Sequence, residues 1–333
     1  MSESNILEIS GLTVEFRSGG RWITAIRDVD LTLAPRQCLG IVGESGSGKS
    51  VTALSILRLH PAKSTRIASG RILYQGRDLL AVAPGELARI RGSEIAMIFQ
   101  DPMSSLNPVL TIGEQIGETL RIHQGLNRAD ALAKAVGLLD MVRIPDARRR
   151  VAEYPHRLSG GMRQRVMIAM AIACRPKILI ADEPTTALDV TVQAQILNLL
   201  RDLREELGMS VILISHDMGV ISEFTDKIAV MYAGQVVEQA VGDGLFDAPM
   251  HPYTSGLLRA IPNIDRDVDR LATIPGSIPD AARMVPGCRF HPRCPEALES
   301  CRSEAPAMID LGGLRQTRCP PRAERQGMIG GRS

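Results

Sequence analysis

The sequence predicts an α/β fold organised on a buried parallel sheet, and three observations predict it. Residues 38–42, 178–181 and 211–215 are short, continuous apolar runs, the kind strands show when both faces are covered. A helical stretch over 191–207 separates the second run from the third, which makes a strand–helix–strand unit. A glycine-rich turn over 43–48 leads from the first run into an amphipathic helix beginning near Lys49.

The other elements follow in order. Residues 6–33 alternate apolar and polar side chains, the period of strands covered on one face. Ser18-Gly19-Gly20 interrupts them, so two antiparallel strands are expected. Further strands are expected at 71–74 and 95–99, with a helix between them. Residues 101–172 are helical in character, and a hairpin is expected over 227–239, turning at Ala233-Gly234. Past about residue 240, prolines, arginines and cysteines accumulate and periodicity fades. This sets a domain over 1–240, with a helical subdomain at about 101–172, and a small irregular extension over 241–333. No internal repeat is seen.

A chain of 333 residues suffices for one large domain and a smaller one. Its 44% hydrophobic and 23% charged residues are ordinary for a globular protein. A net charge of +2 and only 3% aromatics offer neither the field nor the stacking surface that nucleic acid needs, so no such partner is expected. The longest apolar stretch, 166–174, falls short of the ~20 residues of a membrane-spanning helix. Met1-Ser2-Glu3-Ser4-Asn5 lacks the basic and apolar regions of a signal peptide. The expectation is a cytoplasmic protein that meets any membrane process by docking on membrane partners.

Gly43-Glu44-Ser45-Gly46-Ser47-Gly48-Lys49-Ser50 fits G-x-x-x-x-G-K-[ST] at every position, between a strand and a helix. Glycines let the backbone wrap closely around phosphates. Successive N–H groups, on through Val51 in the first helical turn, then point at the anion. Lys49 supplies charge to the outer phosphates, and the Ser50 hydroxyl is placed as a Mg²⁺ ligand. The run 178–181 ends in Asp182-Glu183-Pro184. Ligands gather at the carboxyl ends of parallel strands, so Asp182 is placed to hold Mg²⁺ and Glu183 to act as general base on the attacking water.

Leu158-Ser159-Gly160-Gly161-Met162-Arg163-Gln164-Arg165 sets a serine and two glycines before a helix, a second anion site. This segment resembles the signature of ABC-family ATPases, and the resemblance covers roughly residues 6–240. It implies a P-loop NTPase core with an antiparallel β subdomain and a helical subdomain, taking ATP and Mg²⁺. It implies a head-to-tail pair of ATPase subunits, in which Leu158, Ser159, Gly160, Gly161 and Gln164 cap the ATP bound to the opposite subunit. It also implies roles for single residues. Gln100 matches the Q-loop glutamine that contacts Mg²⁺ and water. Ala187-Leu188-Asp189 matches the D-loop at the dimer interface. His216 matches the switch histidine on the γ-phosphate, and Phe16 the aromatic that stacks on adenine.

Met97-Ile98-Phe99-Gln100-Asp101-Pro102, His251-Pro252-Tyr253-Thr254 and His291-Pro292-Arg293-Cys294-Pro295 resemble the oligopeptide/dipeptide-type import ATPases. The implied function is to energise import of peptides. Nickel, glutathione or another small solute is the alternative, and a non-transport ABC ATPase is the remote one. The implied partners are a second ATPase subunit, paralogue or copy, two transmembrane permease subunits and, indirectly, an extracytoplasmic solute-binding protein. The implied seat is peripheral, on the cytoplasmic face of the inner (plasma) membrane.

Cys288, Cys294, Cys301 and Cys319 are spaced C-x5-C-x6-C-x17-C, without the tight knuckles of common structural zinc sites. Cys294 and Cys319 precede proline, as one ferredoxin-type ligand does. The residues alone admit an iron–sulfur cluster, zinc with His291 replacing a thiol, or no metal. Some members of the resembling subfamily carry a [4Fe–4S] cluster on cysteines so placed. The resemblance therefore implies such a cluster here, stapling a loop-rich extension.

Overall fold

The computed structural model describes residues 5–101, 105–186, 188–261 and 273–328. Residues 102–104 of the Q-loop segment and Ala187 of the D-loop lie outside the described residues. The strands are β1 (Leu7–Ser18), β2 (Arg21–Leu33), β3 (Cys38–Val42), β4 (Thr65–Tyr74), β5 (Arg77–Asp78), β6 (Ile95–Ile98), β7 (Ile178–Asp182), β8 (Ser210–Ser215), β9 (Lys227–Tyr232), β10 (Gln235–Val241), β11 (Ile309–Gly312) and β12 (Arg315–Thr317). Helices alternate with the central strands, the α/β architecture that was expected. The chain forms two compact units. One comprises Met1–Ala34, Cys38–Leu80 and Ser215–Ser333; the other comprises Pro35–Gln37 and Ala81–Ile214.

The first unit contains an antiparallel sheet ordered β2-β1-β4-β5. Leu7, Ile9, Leu12 and Val14 of β1 face Leu33, Leu31, Val29 and Ile26 of β2, and all eight are buried. Each such aliphatic side chain contributes about 1.5–3 kcal/mol on burial, which is why apolar residues recur along 6–33, stepping by three where the register shifts between Ile9 and Leu12. Gly19-Gly20 forms the two-residue connection, with Ser18 opposite Arg21. The same unit sets β11, β12, β10, β9 and β3 side by side, with β3 and β9 parallel. The extension is largely irregular, yet its end returns to the sheet. Glu238 of β10 pairs with Thr317 of β12, and Gln239 with Gln316. β11 and β12 are short and partly exposed, so no apolar alternation marks them in the sequence.

The second unit holds β8, β7 and β6 side by side, all parallel. Every residue of β7 is buried. Around these strands stand helices at Pro84–Ser93, Ile112–Gln124, Arg128–Met141, Gly160–Ile172 and Val190–Leu207. The helix Ile112–Gln124 starts in a capping box. Thr111 Oγ1 accepts from the Glu114 N–H at 3.3 Å, and the Glu114 carboxylate accepts from the Thr111 N–H at 3.0 Å. It buries Ile112, Ile116 and Leu120, one turn apart along a single face. The helix Val190–Leu207 turns Ile196, Leu199, Leu200 and Leu203 inward in the same way.

Candidate functional site

In the first unit the phosphate loop follows β3, whose five residues are all buried. Two of its glycines are sterically required. At Gly43 a Cβ would stand 2.2 Å from the Met231 carbonyl oxygen, and at Gly48 it would stand 2.7 Å from Ile26 Cγ2. Gly48 also has φ 105°, a conformation side chains disfavour. The loop is tied at two further points. Ser47 N–H donates to Glu44 O at 3.1 Å, and Gly234 N–H donates to Ser47 O at 2.8 Å.

Lys49 is 5% exposed, and its Nζ donates to Gly43 O at 2.7 Å and Glu44 O at 3.1 Å. The ammonium is thereby folded back over the loop that it serves. The helix Lys49–Ile56 starts at Gly48 with no side-chain cap, so the N–H groups of its first turn remain suited to an anion. Ser47 Oγ is fully buried without a hydrogen-bond partner. A buried hydroxyl in that state fits a loop shaped for a polar ligand.

Glu44 is held from the far end of the chain, which sequence reading did not anticipate. Its backbone N–H donates to Tyr253 Oη at 2.9 Å. Its carboxylate accepts two bonds from the Arg293 guanidinium, at 2.6 and 3.0 Å. Tyr253 and Arg293 lie in segments that resemble the oligopeptide/dipeptide-type import ATPases, but no local pattern links them to Glu44. Phe16 packs edge-to-face on His60, with ring centroids 5.3 Å apart. His216 is exposed just past β8, beside Asp217, which caps the helix Met218–Phe224 through the N–H groups of Gly219 and Val220.

In the second unit β7 ends on Asp182, which is 5% exposed. Glu183 follows with φ 47°, the left-handed region that non-glycine residues seldom occupy. Its N–H donates to Ile214 O at 3.0 Å. Its Oε2 accepts from Gln100 Nε2 at 2.9 Å and from Thr186 Oγ1 at 3.0 Å. The backbone twist and two donors thus orient one carboxylate. Gln100 spends its amide nitrogen on Glu183, and its oxygen stays an acceptor. A Ser50 hydroxyl, a Gln100 carbonyl and an Asp182 carboxylate are the hard oxygen donors that suit Mg²⁺.

The signature segment lies in the same unit. Ser159 Oγ accepts from the Met162 N–H at 3.3 Å and so caps the helix Gly160–Ile172. Leu158 and Gln164 are buried, and the Gln164 amide nitrogen has no partner. Asp189 Oδ1 accepts from the Val192 N–H at 2.9 Å and caps the helix Val190–Leu207.

The four cysteines of the extension require a correction. They are free thiols lining a cavity of about 820 Å³, but among the described residues no group of three or more His, Cys, Asp or Glu is placed to hold a metal ion. The expected [4Fe–4S] cluster is therefore not supported. Burial raises the thiol pKa of Cys288, Cys294 and Cys319, the last to about 12. His291 Nδ1 is engaged with Cys288 O at 2.9 Å. Spacing and the prolines after Cys294 and Cys319 described a chain pattern and carried no information on burial.

His251, beside that cavity, gives a pH prediction. Burial holds its imidazole at about 3 against an ordinary 6.5; Arg322 pushes the same way and Glu296 opposes. Its Nδ1 accepts from the Tyr253 N–H at 3.1 Å, and its backbone N–H donates to the buried Glu238 carboxylate at 2.8 Å. The folded chain keeps this ring neutral while the unfolded chain takes up a proton below about 6.5. Stability from this group is complete above that pH and is lost as pH falls toward about 3. His251→Asn keeps a capping acceptor and removes the titration. Urea unfolding between these limits is expected to show a wild-type slope steeper by up to ~1.4 kcal/mol per pH unit. Equal slopes would count against a neutral buried His251.

A tight loop with a folded-back lysine and an uncapped helix after a buried strand, together with an oriented carboxylate after another, defines the P-loop ATPase class. Residues 26–186 match the ABC transporter family, and residues 237–301 match the oligopeptide/dipeptide transporter C-terminal region. A Brucella abortus (strain 2308) protein named for peptide import and ATP binding is 64% identical over 317 residues, 95% of each chain. One so named from Brucella melitensis biotype 1 is 50% identical over 330 residues, 96% of this chain and 98% of that one. The dimeric post-hydrolysis state of the ATP-binding cassette MJ0796, bound to ADP and Pi, is 30% identical with a TM-score of 0.63. It covers 71% of this chain and 98% of its own. The structure of cbiO1 from Clostridium perfringens, part of the ABC transporter complex cbiONQ, is 25% identical with a TM-score of 0.63, covering 74% and 92%.

The chain belongs to the ABC transporter ATP-binding proteins of the oligopeptide/dipeptide type, and it is an ATPase of that family. Cassettes of this family use ATP and Mg²⁺ and work as dimers with transmembrane permease subunits. Among the described residues no helix is long and apolar enough to cross a membrane.

Proposed function

We propose that this chain hydrolyses ATP to drive import of dipeptides or oligopeptides. The observation that carries the reading is the match to the oligopeptide/dipeptide C-terminal region at residues 237–301, on top of the ATPase motifs. Residues 1–240 act as the ATP-binding domain, with a helical subdomain at about 101–172, and 241–333 as the extension. Lys49 and the N–H groups from Gly43 to Val51 bind the ATP phosphates, and Phe16 takes the adenine. Ser50, Gln100 and Asp182 hold Mg²⁺, which when bound neutralises phosphate charge. Glu183 takes the proton of the attacking water, with Gln100 and Thr186 fixing the carboxylate. His216 contacts the γ-phosphate. Leu158–Gln164 and Asp189 act on ATP held by a second ATPase subunit. Two permease subunits receive the resulting motion at the cytoplasmic face of the membrane, and a binding protein outside delivers the solute.

Uptake of labelled dipeptides, longer peptides, nickel and glutathione tests this in cells lacking the chain and in complemented cells. Peptide uptake is expected to disappear and to return with the wild-type chain. Loss of nickel or glutathione uptake, with peptide uptake intact, would overturn the peptide reading.

A further inference from the structure

We infer that Arg293 and Tyr253 are positioning residues for ATP, acting through Glu44 on the phosphate loop. The inference rests on the nucleotide reading of that loop. Glu44 is the loop's one carboxylate, set beside the cation on which phosphate binding depends. Left alone it would repel a polyphosphate and would compete for Lys49. Arg293 prevents both with a two-point bond, at 2.6 and 3.0 Å, and its side chain is 5% exposed. The guanidinium is itself fixed. It donates to Pro275 O at 2.8 Å and Ile274 O at 3.1 Å, and lies 5.8 Å from the centre of the Tyr232 ring. Pairing with Glu44 raises its pKa, so it stays charged across the working range.

Tyr253 acts on the backbone. Its Oη accepts the Glu44 N–H, which orients the Gly43–Glu44 peptide, whose Gly43 carbonyl receives Lys49 Nζ at 2.7 Å. The tyrosine is buried against Tyr232 and Phe290, with ring centroids 4.7 and 5.4 Å away. Its helix, Pro252–Arg259, is capped by His251 Nδ1. Two rigid supports in the extension thus meet at one loop residue. One removes a charge, and the other sets a carbonyl.

ATP affinity of the full-length chain, measured by titration calorimetry, tests the inference. Arg293→Gln is expected to weaken ATP binding about tenfold, equivalent to ~1.4 kcal/mol. Arg293→Lys, which keeps the charge, is expected to weaken it less than about threefold. Glu44→Gln/Arg293→Gln is expected to bind as Glu44→Gln alone does, because no carboxylate remains to be neutralised. A merely structural arginine would leave the double variant as weak as Arg293→Gln. The Arg293→Gln defect is also expected to shrink when salt rises from about 50 mM to about 500 mM, as a screened repulsion does.

Tyr253→Phe removes one oxygen and no packing, and is expected to raise the Kd about threefold. It carries the test if the Arg293 variants do not fold, and an unchanged Kd there would overturn the inference. Equal affinity in Arg293→Gln and wild type would overturn it too, as would a double variant no tighter than Arg293→Gln. A folded wild-type chain that does not bind ATP would instead sink the nucleotide reading.

Discussion

Glu183→Gln is expected to keep ATP binding near the wild-type level and to lower steady-state hydrolysis by about 100- to 10,000-fold, the usual worth of a placed general base. The amide copies the carboxylate's shape, so the left-handed turn at φ 47° and the bond from Glu183 N–H to Ile214 O are kept. It cannot take a proton from water. Gln100 Nε2 and Thr186 Oγ1, which donate to the side chain, can still reach its oxygen. The loss therefore falls on turnover and leaves affinity alone. Phosphate release and nucleotide titration on the same preparation check this. Normal hydrolysis in the variant would remove Glu183 as the base.

Lys49→Ala is expected to lower ATP affinity at least about 100-fold, or ~2.7 kcal/mol. The ammonium is buried, and it donates to the loop carbonyls of Gly43 and Glu44. Charge-assisted hydrogen bonds contribute about 1.5–3 kcal/mol each. Removing the side chain deletes the cation and leaves those carbonyls short of a donor. The effect is read in Kd, in contrast to Glu183→Gln, where it is read in turnover. An unchanged Kd with the fold intact by circular dichroism would deny Lys49 its role.

Much of the fold was legible because its causes are local. Alternation in 6–33 and the unbroken apolar runs of β3, β7 and β8 follow directly from which faces are covered. The residues of the phosphate loop are contiguous, so the motif could be read without knowing what surrounds it. The hold on Glu44 was hidden for the opposite reason. Tyr253 and Arg293 reach it across more than 200 positions, and neither belongs to a pattern that Glu44 shares. β11 and β12 were hidden because half-exposed strands of three or four residues show no periodicity. The cysteines misled because ligand spacing can be counted in a sequence, whereas the placement of the thiols in space cannot; among the described residues they form no group able to hold a metal ion.

The placement of Arg293 on Glu44 also constrains how the protein is made. The two residues are 249 positions apart, and synthesis at about 5–20 residues per second separates their emergence by roughly tens of seconds. β3, the strand leading into the phosphate loop, waits for β9, its parallel neighbour in the first unit, and the free side of β10 waits for β12. A nascent chain therefore displays every ATP motif before the unit carrying the phosphate loop can close. During that interval the bare side of β10 is a template for unwanted strand pairing, and β12, synthesised well after it, is the strand that covers it.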